Sequence, residues 1–297
     1  MKLLNDLTLL DLSSRLPGPY ASYCLALQGA KVTKLENTDW GEDPFSASDL
    51  QKISPNFMDW YRQLNHQKTI QKISFKTQAD QLKQQLQAAD IILASPSKKM
   101  QALINAHARP SASVVFIAAS RSQGAMHDLN ALAQTETIHQ HLKDSDHPPY
   151  LPFAGMAFGQ YIAQTALAGF IKAFQTGALQ LHTVYLDEST QALMDVLKSS
   201  QPDRRFLHNG ALACYQVYYS QDQVPVMVAA VEEHYWQQLC DCFKLALEPS
   251  DRYDLTGKTQ NILRKLFTSL TASEIKSRMG TNRFCVTLAE KNKEDKI

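Results

Sequence analysis

Cysteine is the first residue type whose spacing could support chemistry in this chain. The chain has five cysteines, and Cys240 and Cys242 form a C-x-C pair within a segment typical of a helix, Tyr235 to Leu245. Two positions apart on a helix, the two thiols point to different faces, and no second Cys or His pair follows at zinc-ligand spacing. The odd, scattered set also does not form a secreted disulfide framework. We therefore predict core thiols and no metal site.

Adjacent lysines are the second candidate for chemistry. Lys98 and Lys99 could meet a phosphate as two point charges. They also precede a predicted helix, and a solvated helix start is at least as good an interpretation. No G-x-G-x-x-G run follows the first predicted strand, and no Walker pattern occurs in the chain. The sequence thus gives no support for a nicotinamide or P-loop site.

The composition is that of an ordinary globular protein. The 297 residues are 44% apolar and 20% charged, with a net charge of +1. This balance provides no field that would recruit nucleic acid or an acidic membrane surface. The longest apolar stretch, Ile162 to Phe174, is too short to span a bilayer. We therefore expect a cytoplasmic protein without nucleic-acid or membrane partners.

Strands and helices alternate over residues 1–120, and the strands are short apolar runs. The predicted strands are Leu7–Leu12, Lys31–Glu36, Thr69–Phe75, Asp90–Ala94 and Ser113–Ala119. The predicted helices are Tyr20–Gln28, Gln78–Ala88 and Met100–Ala108. This alternation predicts an α/β fold whose large domain is a doubly wound, Rossmann-like parallel sheet.

The character of the chain changes in its second half. A long apolar helix is predicted over Met156–Phe174, and it is too apolar to be fully exposed. Predicted strands and helices then follow at Cys214–Tyr219, Val224–Val231, Tyr235–Leu245, Leu255–Ser269 and Ala272–Met279. We therefore predict a large α/β domain over residues 1–185 and a small α+β domain over residues 186–297.

Several short motifs, spread over nearly the whole chain, carry a family resemblance. They include Asp11-Leu12-Ser13, Pro17-Gly18-Pro19-Tyr20, the segment from Gly29 to Glu36, and His127-Asp128-Leu129-Asn130. Their order and spacing resemble the family III CoA-transferases, and the His127 motif is similar to that of the α-methylacyl-CoA racemase branch. The resemblance implies coenzyme A or acyl-CoA as ligand, no metal or nicotinamide, and an interlocked homodimer.

The family's chemistry depends on an aspartate at the start of the long helix. In a transferase this aspartate attacks the acyl-CoA thioester, and in a racemase it takes part in proton transfer at the α-carbon. Here the corresponding turn reads Met156-Ala157-Phe158-Gly159, so Ala157 stands at the expected position. No Asp or Glu occurs between His147 and Leu186. An alanine can neither attack nor carry a proton.

The resemblance assigns roles to two further residues. His127 matches the racemase histidine, an α-proton base, although it is also one of nine histidines in the chain. Glu232 matches a glutamate that orients this histidine, although an acid is also favoured before a helix. We therefore name His127 and Glu232 as catalytic candidates. The candidate CoA contacts are Lys34, Lys68, Lys98 and Lys99.

Three hypotheses follow. In the first, the chain keeps the fold and acyl-CoA binding but has impaired or lost catalysis. In the second, it is an active single-base racemase or isomerase that uses His127. In the third, it is a non-catalytic structural or regulatory subunit that pairs with an active relative. The identity of residue 157 is the sequence feature that separates the first hypothesis from the second.

Overall fold

The structure is a computed structural model that describes residues 2–122, 124–135, 137–142, 147–196, 207–281 and 284–290. The chain divides into two compact units, Met1–Lys198 and Ser199–Ile297. The helix Leu186–Asp195 contacts the helix Phe153–Thr176 within the first unit. Among the described residues, no helix is both long and apolar enough to cross a membrane.

The first unit is built on a six-stranded sheet in which every pair of neighbours is parallel. Its strands are β1 (Thr8–Asp11), β2 (Lys31–Asn37), β3 (Thr69–Ile73), β4 (Ile91–Ala94), β5 (Ser113–Ala118) and β6 (Gln180–Tyr185). The order is β3-β2-β1-β4-β5-β6. The chain therefore winds outward on both sides of β1, as predicted for a doubly wound sheet, and the order reverses between β1 and β4.

Helices cover both faces of this sheet. They are α1 (Pro17–Leu27), α2 (Ser48–Ile53), α3 (Asn56–Asn65), α4 (Ala79–Ala88), α5 (Lys98–His107), α6 (Asp128–Ala133), α7 (Thr137–His141), α8 (Phe153–Thr176) and α9 (Leu186–Asp195). Successive strand residues point to opposite faces, so Leu9 lies in one buried cluster with Phe158 of α8, and Leu10 in another with Leu82 of α4. Buried hydrophobic side chains therefore pack on both faces of the sheet.

The long helix α8 begins at Phe153, three residues before the predicted start at Met156. It ends at Thr176 and is capped by Gly177, whose φ of 65° is left-handed, a conformation that glycine adopts without strain. Gly159 allows α8 to approach α1 closely, since a Cβ there would lie 2.7 Å from Tyr20 Cδ1. One face of α8 is buried, whereas Phe174 is 80% exposed.

The second unit contains a small antiparallel sheet and its own core. Its strands are β7 (Tyr215–Tyr219), β8 (Pro225–Ala229) and β9 (Val286–Leu288), in the order β7-β8-β9. Its helices are α10 (Glu233–Phe243), α11 (Lys258–Thr268) and α12 (Ala272–Met279). Trp236, Phe267 and Phe284 are fully buried between sheet and helices. The predicted α+β character of this region is confirmed, although β9 was not predicted.

Candidate functional site

A cleft of about 260 Å³ lies at the carboxyl ends of the central strands. Its lining residues come from the carboxyl-terminal part of β2 and from the segments that follow β1, β2, β3 and β4, including Ser14, Asn37 and Ser97. These segments meet because the carboxyl ends of parallel strands lie at one edge of the sheet. The chain also changes direction between β1 and β4, which is where open α/β sheets bind ligands. The cleft is therefore the candidate binding site of the first unit.

A buried group of charges lies next to this cleft. Asp11 ends β1 and is fully buried, and it pairs with Lys68, whose Nζ is 3.4 Å from Asp11 Oδ2. Lys34 of β2 is also buried, and its Nζ is 3.4 Å from Asp43 Oδ2. Lys34 further donates a hydrogen bond to the Ser13 carbonyl oxygen. The structure thus gives two of the four predicted CoA-binding lysines, Lys34 and Lys68, internal partners, and Lys34 in addition lines the cleft.

The charges of this group stabilise one another. Burial alone would raise the pKa of the Asp11 carboxyl, but the ammonium groups of Lys34 and Lys68, together with two serine hydroxyls, lower this pKa below its ordinary value. Burial lowers the pKa of Lys68 from 10.5 to about 8, and the attraction of Asp11 opposes that fall. The Pro19 carbonyl oxygen accepts a further bond from Lys68 Nζ at 2.8 Å. The group is consequently a structural element of the first unit.

The lysine pair Lys98–Lys99 occupies the first turn of α5. Ser97 caps this helix, because its side chain accepts a hydrogen bond from the Met100 backbone N–H at 3.2 Å. Both lysines are exposed, and Ser97 lines the cleft. The two lysines are therefore next in sequence to Ser97, which lines the cleft. The amino-terminal end of α5 carries a partial positive charge, which adds to the positive charge of the two lysines.

His127 directly precedes α6 and is exposed. Its neighbour Asp128 accepts a hydrogen bond from the Gly155 backbone N–H, with Oδ1 2.6 Å from the nitrogen. Gly155 belongs to the first turn of α8, so this bond ties the His127 segment to the start of the long helix. Burial raises the pKa of Asp128, and the N–H groups of Gly155 and Ala154 oppose that rise. Ala157 follows in the second turn and is half-buried.

Glu232 belongs to the second unit, whereas the other candidate residues belong to the first. It directly precedes α10 and is exposed. Among the described residues, no group of three or more His, Cys, Asp or Glu side chains could hold a metal ion.

Sequence comparison identifies the family. The model of CoA-transferase family III matches residues 4–109 and 118–294. The chain belongs to CoA-transferase family III. A search of curated proteins finds no match.

Solved structures of two proteins show the fold of this CoA-transferase family III chain. The hypothetical protein Rv3272 of Mycobacterium tuberculosis is 18% identical, with a TM-score of 0.70 over 98% of this chain and 85% of the other. A CaiB/BaiF family protein from Brucella suis is 15% identical, with a TM-score of 0.69 over 94% and 81% of the two chains. The predicted family and fold are thereby confirmed, and the family implies acyl-CoA as the substrate.

In this CoA-transferase family III chain, the motifs at the start of the sequence form the contacts around the buried Asp11–Lys68 pair. Ser13 and Ser22 donate hydrogen bonds to the two oxygens of Asp11. Gly18 lies against Ser13, since a Cβ on Gly18 would approach Ser13 Oγ to 2.1 Å. The Pro19 carbonyl oxygen binds Lys68. The opening motifs therefore encode the buried charged group that supports the cleft.

Sequence analysis missed several residues of the cleft. Glu36, Asn37, Trp40 and Asp43 all line it, at or just after the end of β2. Their position in the sequence could have identified them. Ligands bind outside the carboxyl ends of the strands in open α/β sheets, and these polar and aromatic residues lie at or just after the end of a predicted strand.

Proposed function

We propose that this CoA-transferase family III protein binds acyl-CoA at the strand-end cleft but does not transfer the acyl group. The observation that carries the proposal is Ala157 in the second turn of α8, at the position where the family has its aspartate. Transfer requires a carboxylate oxygen that attacks the thioester carbon and displaces the CoA thiolate, which leaves a mixed anhydride. A methyl side chain provides no such oxygen.

Asp128 does not replace the missing nucleophile in this proposal. Its Oδ1 is held by the Gly155 N–H at 2.6 Å, and its pKa is raised by burial. A carboxylate fixed at a helix start in this way acts as an anchor for the preceding loop. It holds the His127 segment at the start of α8.

The test combines binding with trapping. Calorimetry should show that wild-type protein binds CoA and acetyl-CoA. With acetyl-CoA and hydroxylamine, wild-type protein should give no hydroxamate at any protein carboxylate. Ala157→Asp should give one, and the matched variant Ala157→Asn, similar in shape but without the nucleophile, should not. An acyl hydroxamate formed on the wild-type protein would overturn the proposal, as would failure to bind either ligand.

A second candidate function is favoured by the link between Asp128 and α8, because that link keeps His127 beside the start of the helix. In this case His127 removes the α-proton of a 2-methylacyl-CoA and returns one to the same face. The protein should then exchange that proton with D₂O while configuration is retained, because inversion needs a second group on the opposite face. A proton-transfer group contributes about 10²–10⁴ in rate, so His127→Ala should reduce the exchange by that factor. An exchange rate equal in wild type and variant would exclude the candidate.

A further inference from the structure

A second pocket of the first unit lies at the amino ends of the parallel strands, opposite the strand-end cleft. Its lining includes Leu7, Asp90 and Ser111, which come shortly before β1, β4 and β5. Its volume is about 330 Å³, at the small end of the range of about 300–1,000 Å³ for small-molecule sites. This amino-end pocket shares no lining residue with the strand-end cleft, so it is a separate candidate site.

One side of the amino-end pocket is apolar and partly open to solvent. Phe170 and Phe174 are four residues apart on α8, so they lie on the same face of that helix. Leu7 is a buried part of the lining, whereas Phe174 is 80% exposed and Leu3 is 69% exposed. An apolar group bound against these side chains would remove aromatic and aliphatic surface from water. This side therefore favours a ligand with an apolar end.

A rigidly held guanidinium provides the polar side of the amino-end pocket. Arg109 donates hydrogen bonds from Nη1 to Asp90 Oδ1 at 2.5 Å and from Nε to Ser111 Oγ at 3.1 Å. Asp90 is itself fixed, because its Oδ2 accepts bonds from the backbone N–H and the hydroxyl of Thr8, at 2.8 and 2.7 Å. Within the described part of the chain, these bonds use Nε and Nη1 of Arg109, whose side chain is 40% exposed. The Nη2 group is thus a pre-oriented donor for a ligand carboxylate.

The charges of the lining are complementary to a zwitterion. Asp90 is paired with Arg109, and Asp6 contributes a further, exposed carboxylate to the lining. A ligand with only a negative charge would be repelled by Asp6, and a ligand with only a positive charge would leave Arg109 Nη2 unused. An α-amino acid carries a carboxylate and an ammonium group together, so opposite charges on ligand and lining attract at both ends.

We propose that the amino-end pocket binds a free α-amino acid with an apolar side chain. The ligand carboxylate accepts a hydrogen bond from Arg109, and the ligand ammonium group pairs with Asp6. The apolar side chain packs against Phe170 and Phe174. This inference goes beyond the proposed acyl-CoA function and does not depend on it, because none of these residues lines the strand-end cleft.

The test measures calorimetric binding of L-phenylalanine and of two analogues. Phenethylamine lacks the carboxylate, and it should bind about tenfold more weakly than L-phenylalanine because it loses a charged hydrogen bond to Arg109. Hydrocinnamate lacks the ammonium group, and it should bind about twofold to fivefold more weakly because a charge pair with the exposed Asp6 is weak. Equal affinities for the three molecules would show that the charged groups are not recognised, and this result would overturn the inference.

Two exposed side chains allow variants that preserve the core. Asp6→Asn should weaken L-phenylalanine binding by about twofold to fivefold, and it should not weaken binding of hydrocinnamate, which has no ammonium group. Phe174→Ser should weaken binding of all three molecules by about threefold to tenfold through the lost aromatic contact. Ile171→Ser is the matched control and should not change binding, because Ile171 is 56% exposed on α8 and lies outside the pocket lining. Thermal unfolding without ligand shows that each variant is folded.

The inference is wrong if wild type does not bind L-phenylalanine, or if Asp6→Asn and Phe174→Ser bind it as wild type does. It is also wrong if Ile171→Ser weakens binding as much as Phe174→Ser. If sedimentation shows that Phe174→Ser separates an oligomer that Ile171→Ser leaves intact, the exposed aromatic face is a contact between copies of this chain, which again overturns the inference. Calorimetry with CoA on the same wild-type protein reports the acyl-CoA proposal separately, so the failure of either binding leaves the other in place.

Discussion

Asp11 lies at the centre of the buried charged group, so Asp11→Asn is the most informative perturbation of the fold. The substitution removes the only negative charge that pairs with Lys68 in the described residues. It leaves the ammonium groups of Lys34 and Lys68 buried with Asp43 as their remaining counter-ion. The side-chain shape is preserved, so the measured change reports the charge.

The magnitude follows from the burial of the pair. The side chains of Asp11 and Lys68 are both 0% exposed, and removing one partner of a buried ion pair costs about 3–5 kcal/mol. A domain of this size shifts by about 2–4 °C in unfolding temperature for each kcal/mol. We therefore expect the first unit of Asp11→Asn to unfold about 6–20 °C below wild type.

The assay is a double-mutant cycle by thermal and urea unfolding. Asp11→Asn, Lys68→Met and the double variant are compared, and the double variant should be more stable than the sum of the single changes predicts, because no charge is left unpaired. The exposed pair Asp80 and Lys83 provides the matched control, and its variants should unfold like wild type. An Asp11→Asn variant as stable as wild type, or strict additivity in the cycle, would refute the reasoning.

Three other predictions follow from the described contacts. Because the pKa of Lys68 is lowered from 10.5 to about 8, the unfolded chain binds more protons between these values. The free energy of unfolding of wild type, relative to that of Lys68→Met, should therefore rise as pH increases from about 8 towards 10.5. A difference between the two proteins that does not change with pH would contradict this. Replacing both Lys98 and Lys99 by Gln should weaken CoA binding in calorimetry and leave the unfolding transition unchanged. Replacing the exposed Lys172 by Gln should change neither CoA binding nor unfolding. An equal loss of CoA affinity in both variants would count against a role of Lys98 and Lys99. Gly159→Ala should destabilise the protein in urea unfolding by about 1–3 kcal/mol, because its Cβ would meet Tyr20 at 2.7 Å; unchanged stability would show that the α1–α8 contact relaxes.

Strand prediction succeeded where a strand is buried on both faces. Runs such as Ile91–Ala94, which is buried throughout, read directly as central parallel strands. The edge strand β6, with the sequence QLHTVY, alternates exposed and half-buried residues over most of its length. It was not predicted as a strand because it resembles a polar loop until it pairs with β5.

The sequence alone determined the family, the doubly wound sheet and the absence of a carboxylate at Ala157. These features depend on residue identity and local periodicity, both of which can be read along the chain. Tertiary structure alone decided that Lys34 and Lys68 turn inward to Asp43 and Asp11, and that Glu36 Oε2 and Asn37 Nδ2 are buried without a hydrogen-bond partner within the described part of the chain. The physical reason is that the burial and pairing of a polar group depend on side chains distant in sequence, such as Lys68 and Asp11, and only the folded sheet brings these together.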